Sequence, residues 1–309
     1  MKKIIPLLAV VLLFGCWRSP EYYFKKGNQY HLEGKYLQAI EMYNRAILAR
    51  PNFPEALNSR GLTYERLKDR MKAEQDFERA VRVAPEYMPS YTNLAGIYMD
   101  LRFYRKALYY LNKAVKVRPD YPHAYLNRGI IYYKKGDMAK ALEDFTKSIE
   151  LNHKLLLAYY YRSLVYSHFQ KPFYALEDLN ALIKLNENLP LAYFERGKMH
   201  YRLKDFKHAA EDFSRAGKLK STNPIYHYWA GLCWYRLKVY EKAQEMCEKA
   251  LELSSHFALA SLLKGDICYT EKDYECALTS YKIALENDPS NEKTYTRRIK
   301  MVYKRIRRK

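Results

Sequence analysis

The sequence predicts an all-α solenoid of eight antiparallel helix pairs in tandem, closed by one further helix. Three observations predict it. Alanine recurs every 34 residues, at Ala39, Ala73, Ala107, Ala141, Ala175, Ala209, Ala243 and Ala277. Twelve residues before each alanine stands a small residue: Gly27, Gly61, Ala95, Gly129, Ser163, Gly197, Gly231 or Gly265. Four residues after it stands Tyr43, Phe77, Leu111, Phe145, Leu179, Phe213, Cys247 or Tyr281. A period of this length, held without a phase slip, marks stacked two-helix units rather than one ordinary core.

Numbering each repeat from residues 20, 54, 88, 122, 156, 190, 224 and 258 puts the alanines at position 20. Position 11 holds Tyr30, Tyr64, Tyr98, Tyr132, Tyr166, His200, Trp234 and Cys268. Position 27 holds Ala46, Ala80, Ala114, Ser148, Leu182, Ala216, Ala250 and Ala284. Spacings of three, four and seven place these columns on single helical faces. Small residues let helices A and B approach, and the large ones fill the space between. Polar segments such as Glu33-Gly34-Lys35 and Lys135-Gly136-Asp137 join A to B. Position 15 is glycine only at Gly34 and Gly136; elsewhere it is Lys68, Arg102, Gln170, Lys204, Lys238 or Lys272. If that position is left-handed, each side chain there costs about 1 kcal/mol. Pro51, Pro85, Pro119 and Pro289 follow helix B and are expected to stop it, since proline lacks an N–H and restricts its predecessor. His153, Glu187, Ser221 and Ser255 stand there in the other repeats.

The order aromatic, small, Tyr, Ala, Phe or Tyr, Ala, Pro resembles the tetratricopeptide repeat. Segment 121–151, YPHAYLNRGIIYYKKGDMAKALEDFTKSIEL, carries it most closely. The resemblance spans 20–291. It implies a right-handed superhelix whose concave surface is lined by helix A, chiefly through positions 2, 5, 6, 9, 12 and 13.

Residues 1–15 stand outside the period. Lys2 and Lys3 precede an apolar run, Ile4 to Phe14, too short to span a bilayer. Leu13-Phe14-Gly15-Cys16 resembles the lipobox of bacterial lipoproteins. That resemblance implies cleavage before Cys16, a diacylglycerol on its sulfur, and a lipidated N-terminus over 16–19. Several acyl chains would hold the protein on a membrane of the cell envelope. Trp17, in place of aspartate, points to the outer membrane by the enteric rule.

Residues 292–309 are expected to form a basic amphipathic capping helix, with Tyr295, Ile299, Val302, Tyr303 and Ile306 at helical spacing over the last repeat. The formal charge is +20, or 20 − 2 = +18 without Lys2 and Lys3. It is densest at Lys293, Arg297, Arg298, Lys300, Lys304, Arg305, Arg307, Arg308 and Lys309. Such charge suits anionic lipids or polymers of the envelope, or simply solvates the cap. The export signal argues against nucleic acid.

Cys233, Cys247, Cys268 and Cys276 form no zinc signature and no CxxC. Packing is the default role. An exported location also permits disulfides, with Cys268 and Cys276, flanking one turn, as the first pair to test. No phosphate loop, GxGxxG, HExxH or GxSxG motif is present, so neither an enzyme nor a cofactor is expected. The histidines are scattered, and His200, in the Tyr/Trp column, is assigned to packing rather than to metal.

Two further columns vary together. Position 7 is arginine at Arg60, Arg128, Arg162 and Arg196, and position 23 is aspartate in the same repeats, at Asp76, Asp144, Asp178 and Asp212. A hairpin folded near position 15 sets these positions opposite each other, which implies structural ion pairs; binding of a ligand's carboxylates is the alternative. On the helix-A face, repeats one to three offer polar residues and repeats four to eight aromatic ones. Candidate partner-binding residues are Asn93, Asn127, Tyr133, Tyr160, Tyr161, Phe194, Tyr201, Tyr228, Trp229 and Tyr235. Aromatic side chains offer large contact area at small entropic cost, so a protein or peptide partner in the envelope is expected. The alternative is that neighbouring repeats bury the stripe. Position 5 lacks the lysines of the family's carboxylate clamp.

Overall fold

The computed structural model describes residues 18–307. Cys16, Trp17, the segment 1–15 expected to be a signal peptide, Arg308 and Lys309 lie outside the described residues. The described residues form 17 α-helices in tandem. They divide into two compact units at His153/Lys154, in the segment between repeats four and five. The unbroken period gives no sign of this division, because contacts in a solenoid are local to neighbouring repeats at every junction.

The first unit holds α1 (Pro20–Leu32), α2 (Tyr36–Ala49), α3 (Pro54–Arg66), α4 (Arg70–Val83), α5 (Met88–Asp100), α6 (Tyr104–Val117), α7 (Pro122–Lys134) and α8 (Met138–Leu151). The second holds α9 (Leu156–His168), α10 (Pro172–Leu185), α11 (Pro190–Arg202), α12 (Phe206–Leu219), α13 (Pro224–Arg236), α14 (Tyr240–Leu253), α15 (Ala258–Thr270), α16 (Tyr274–Asn287) and α17 (Glu292–Ile306). A short 3₁₀ turn, Pro289–Asn291, precedes α17. Through α16 the odd helices are A and the even ones B.

Each A–B turn closes in the same way. The position-15 residue is left-handed in all eight repeats, with φ from 56° at Gln170 to 82° at Gly136. Its N–H and the next one bond back into helix A, as where Lys68 donates to Glu65 and Asp69 to Tyr64, both at 2.9 Å. This double bond pattern satisfies carbonyls that a helix end leaves open. In four repeats the residue after the turn is an aspartate that caps helix B, at Asp69, Asp137, Asp205 and Asp273.

The expectation about proline needs correction. Helix B ends at the equivalent residue whether or not proline follows, at Val83 and Val117 but also at Leu185 and Leu253. In both cases the residue just after it leaves the helical region, with φ −137° at Arg118 and −154° at Asn186. Prolines act instead at helix starts: Pro54, Pro122, Pro190 and Pro224 occupy the first turn of helix A, where no N–H is needed.

Close approach of A to B depends on paired sizes. A Cβ on Gly61, Gly129 or Gly197 would lie 2.6–2.8 Å from the ring of Phe77, Phe145 or Phe213. Where position 24 is Leu111 or Leu179, position 8 carries a Cβ, as Ala95 or Ser163. Position 8 is thus glycine wherever a ring lies opposite; Gly231, opposite Cys247, is crowded instead by the Ala243 carbonyl, 3.2 Å from where a Cβ would lie.

Helix α17 covers the last repeat with Tyr295 and Val302, both buried. Tyr303 and Ile306, expected on that face, are 43 % and 44 % exposed.

Candidate partner-binding surface

The arginine and aspartate columns meet in each of the four repeats that carry them. Nε and Nη2 of Arg60, Arg128, Arg162 and Arg196 donate to the two oxygens of Asp76, Asp144, Asp178 and Asp212 at 2.6–2.9 Å. Burial holds the Asp144 and Asp178 carboxyls above their ordinary value, although the arginine hydrogen bonds lower them in part. Both oxygens of each aspartate accept from a guanidinium that stays charged, so the pairs are ionic. Sequence reasoning missed a third partner. Nη1 of Arg60, Arg128 and Arg196 donates to Asn44, Asn112 and Asn180, each at position 25 of the preceding repeat. The signal was present: asparagine stands one repeat ahead of each of these arginines. Each such arginine thus ties helix A to its own helix B and to the one before.

Positions 11 and 19 also meet, outside the helix-A face. Lys72, Lys106, Lys140 and Lys242 lie over the rings of Tyr64, Tyr98, Tyr132 and Trp234, with Nζ 4.5–5.5 Å from the centroids. Tyr166 stacks on Tyr174 at 5.2 Å and His200 on His208 at 5.3 Å. In repeat eight the same pair is a disulfide, Cys268–Cys276, with Cα atoms 5.9 Å apart. Cys233 and Cys247 are buried free thiols.

On the helix-A face of the first unit, Asn93 is half-buried. Its amide donates to the buried Asn58 at 2.8 Å, and Ser90 donates to the same oxygen. That carbonyl is therefore engaged within the protein, and Asn93 offers a partner only its remaining amide valences. Asn127 and Tyr133 are half-buried on α7.

In the second unit all seven aromatic candidates are half-buried. Trp229 sits at the centre, edge-on to Tyr201 at 5.2 Å and tilted on Phe213 at 5.6 Å. Phe194 packs on Phe213 and Tyr226. Tyr228 meets Phe257, Tyr235 meets Tyr240, and Tyr160 lies edge-on to Tyr161. The rings therefore serve packing with one part and face outward with another. Among them Glu195 is buried and paired with Lys198 at 2.7 Å.

Sequence reasoning passed over half of one row. At position 2 of the four A helices stand Leu157, Leu191, Ile225 and Leu259, 55 %, 44 %, 43 % and 43 % exposed. The same position in the first unit is Glu21, Glu55, Pro89 and His123. Leu157 and Leu191 belong to the apolar stripe; Ile225 and Leu259 were legible only by following the single column. Exposed aliphatics repeating on one face, backed by half-buried rings, form a surface suited to apolar side chains.

Family models described as tetratricopeptide repeat match residues 54–87, 122–155, 175–224 and 238–292, and one described as TPR repeat matches 27–68 and 97–136. Together they span most of the chain, which belongs to the tetratricopeptide repeat family. Such repeats generally act as scaffolds for protein interaction and are typically non-catalytic. No curated protein matches the chain. Among solved structures it is similar to YrrB, described as a TPR protein with an unusual peptide-binding site, with 24 % identity and a TM-score of 0.54, over 60 % of this chain and 95 % of that one. A tetratricopeptide repeat protein from Parabacteroides merdae has 20 % identity and a TM-score of 0.53, over 81 % and 98 % of the two chains. MamA has 22 % identity and a TM-score of 0.52, over 56 % and 94 %. At these identities the likeness establishes the fold.

Proposed function

We propose that the chain is a lipid-anchored scaffold of the bacterial cell envelope that binds an apolar segment of a partner protein. Binding takes place on the helix-A face of the second unit. The observation that carries this reading is the row Leu157, Leu191, Ile225 and Leu259, backed by half-buried Tyr160, Phe194, Tyr228 and Trp229. Lipidation at Cys16 rests on the sequence Leu13-Phe14-Gly15-Cys16 and supplies the membrane attachment. The Cys268–Cys276 disulfide suits an oxidising compartment. A photo-crosslinker placed at Ile225 in intact cells, with Lys249 of α14 as the control site, tests the binding face. A discrete adduct from Ile225 alone, diminished by Trp229→Ala or Tyr160→Ala in a folded protein, is the expected result. Equal adducts from both sites, or adducts indifferent to both variants, sink the reading. Cys16→Ser releases the protein from membranes if the anchor is right.

A second reading rests on α17. Lys293, Arg297, Lys300 and Lys304 line one shallow depression on its exposed side. Arg298, by contrast, pairs with Asp266 at 3.1 Å and Arg305 with the Tyr269 hydroxyl at 3.3 Å. The unpacked side suits an anionic lipid surface or polymer. Co-sedimentation with phosphatidylglycerol vesicles that fades with salt, and with the four residues changed to glutamine, supports it; binding indifferent to both overturns it.

A further inference from the structure

We propose that His200, Asp205 and His208 form a site for a divalent transition metal, with zinc as the probe, that fastens the two helices of repeat six. The three side chains converge at the outer side of the α11–α12 turn, with their potential ligand atoms all within 4.8 Å of one another. Nδ1 of His208 lies 2.7 Å from Oδ2 of Asp205, and Nδ1 of His200 lies 3.5 Å from the same oxygen. Zinc bound tetrahedrally at 2.0–2.1 Å holds its ligands about 3.4 Å apart. The His200 edge already has that spacing. The His208 edge has to open by several tenths of an ångström, and His208 is on the exposed side of α12, where its ring has room. Two imidazoles and a carboxylate leave a fourth position for water.

Three independent features favour ligation over an incidental cluster. First, both histidines depart from their columns together. Position 11 is otherwise Tyr, Trp or Cys, and position 19 is lysine in four repeats. Second, Asp205 is held in place: its other oxygen accepts the backbone N–H of His208 at 3.3 Å as the cap of α12. Third, the outer nitrogen of His200, Nε2, lies 4.0 Å from Oδ2 of the buried Asp212, the partner of Arg196. At that distance the carboxylate does not hydrogen-bond the ring, but its charge favours a proton on the far nitrogen of a ligating imidazole. The metal would join helix A to helix B at the pair of positions where repeat eight has its disulfide.

The test uses the purified full chain in detergent and zinc chloride alone. Calorimetric titration is expected to show one zinc per chain, and thermal unfolding to shift upward with zinc. His200→Tyr with His208→Lys writes into repeat six the tyrosine–lysine pair of repeats two, three and four, so packing is preserved while both imidazoles go. That double variant is expected to fold as the wild type does, to lose at least tenfold in zinc affinity and to show no zinc-dependent shift. Asp205→Asn, which keeps the cap, is expected to weaken zinc binding as well. No saturable binding by the wild type, or a double variant that binds zinc as tightly as the wild type, overturns the proposal.

Discussion

Arg128 grips Asp144 with two hydrogen bonds, 2.8 Å from Nε and 2.7 Å from Nη2, between helices that the chain reaches 16 residues apart. The two side chains are 19 % and 7 % exposed, so removing one strands the other's charge. Asp144→Ala is expected to cost about 3 kcal/mol, whereas Arg128→Leu with Asp144→Leu costs much less. Urea unfolding followed by circular dichroism checks this. A single variant as stable as the wild type would show that the pair is not a structural lock.

The Gly129–Phe145 contact makes a prediction about size. A Cβ at Gly129 would lie 2.7 Å from the Phe145 ring. Gly129→Ala is expected to destabilise by about 1–3 kcal/mol through overpacking. Adding Phe145→Leu reproduces the Ala95–Leu111 pairing of repeat three and should recover most of the loss. Equal stabilities for the single and double variants would contradict the complementarity.

The turns predict a gain. Lys204 and Lys238 are left-handed, with φ of 62° and 60°. Lys204→Gly with Lys238→Gly relieves that conformation but loosens the unfolded chain, for a net gain of about 0.5 kcal/mol each. A lower melting temperature in the double variant would mean that the lysine side chains hold the turns by some other contact.

The free thiols make a prediction about pH. Burial pushes Cys233 and Cys247 up to about 12 from an ordinary value near 9. The folded state therefore keeps its thiol protons where the unfolded state has lost them. Stability from these groups is fully present below about pH 9 and falls, by about 1.4 kcal/mol per pH unit for each thiol, as pH rises toward 12. At pH 8 a thiol reagent should label neither residue until the protein unfolds. Prompt labelling of the native protein would contradict their burial.

Reduction of the Cys268–Cys276 disulfide, which spans eight residues, should cost about 2 kcal/mol in repeat eight, since a loop this short constrains the unfolded chain modestly. Denatured, unreduced protein should show two free thiols besides Cys16, and reduced protein four. Four without reductant would mean that the bond does not form.

The legible parts of the molecule were those set by periodicity. Ala39 and its seven successors mark where helices touch, and the matched losses of arginine and aspartate mark a pair that only a folded hairpin brings together. What escaped was information spread over two repeats. Asn44 reads as an ordinary polar residue until Arg60, in the next repeat, is seen to reach it. His208 is unremarkable on helix B and gains meaning only beside His200. Ile225 and Leu259 resemble core leucines in composition, and their exposure depends on which side of helix A the next repeat covers. The place where helix B ends was misread because proline, the conspicuous residue, follows a break that the cap residue already makes.

The arginine links to Asn44, Asn112 and Asn180 are not spread evenly along the chain. Leu94 and Ala230 stand where repeats three and seven would place the arginine, and Lys264 in repeat eight reaches Glu248 only at 3.8 Å. The junction before repeat three is pinned in another way, with Ser90 and Asn93 bonded to Asn58, Tyr98 to Glu74 and Tyr110 to Glu78, whereas before repeat seven Trp229 packs on Phe213. Under tension, as when a tethered protein is pulled by a partner, the junction before repeat seven should lengthen first. The arginine missing at Ala230 thus marks a compliant point, at a position that in other repeats stiffens the junction.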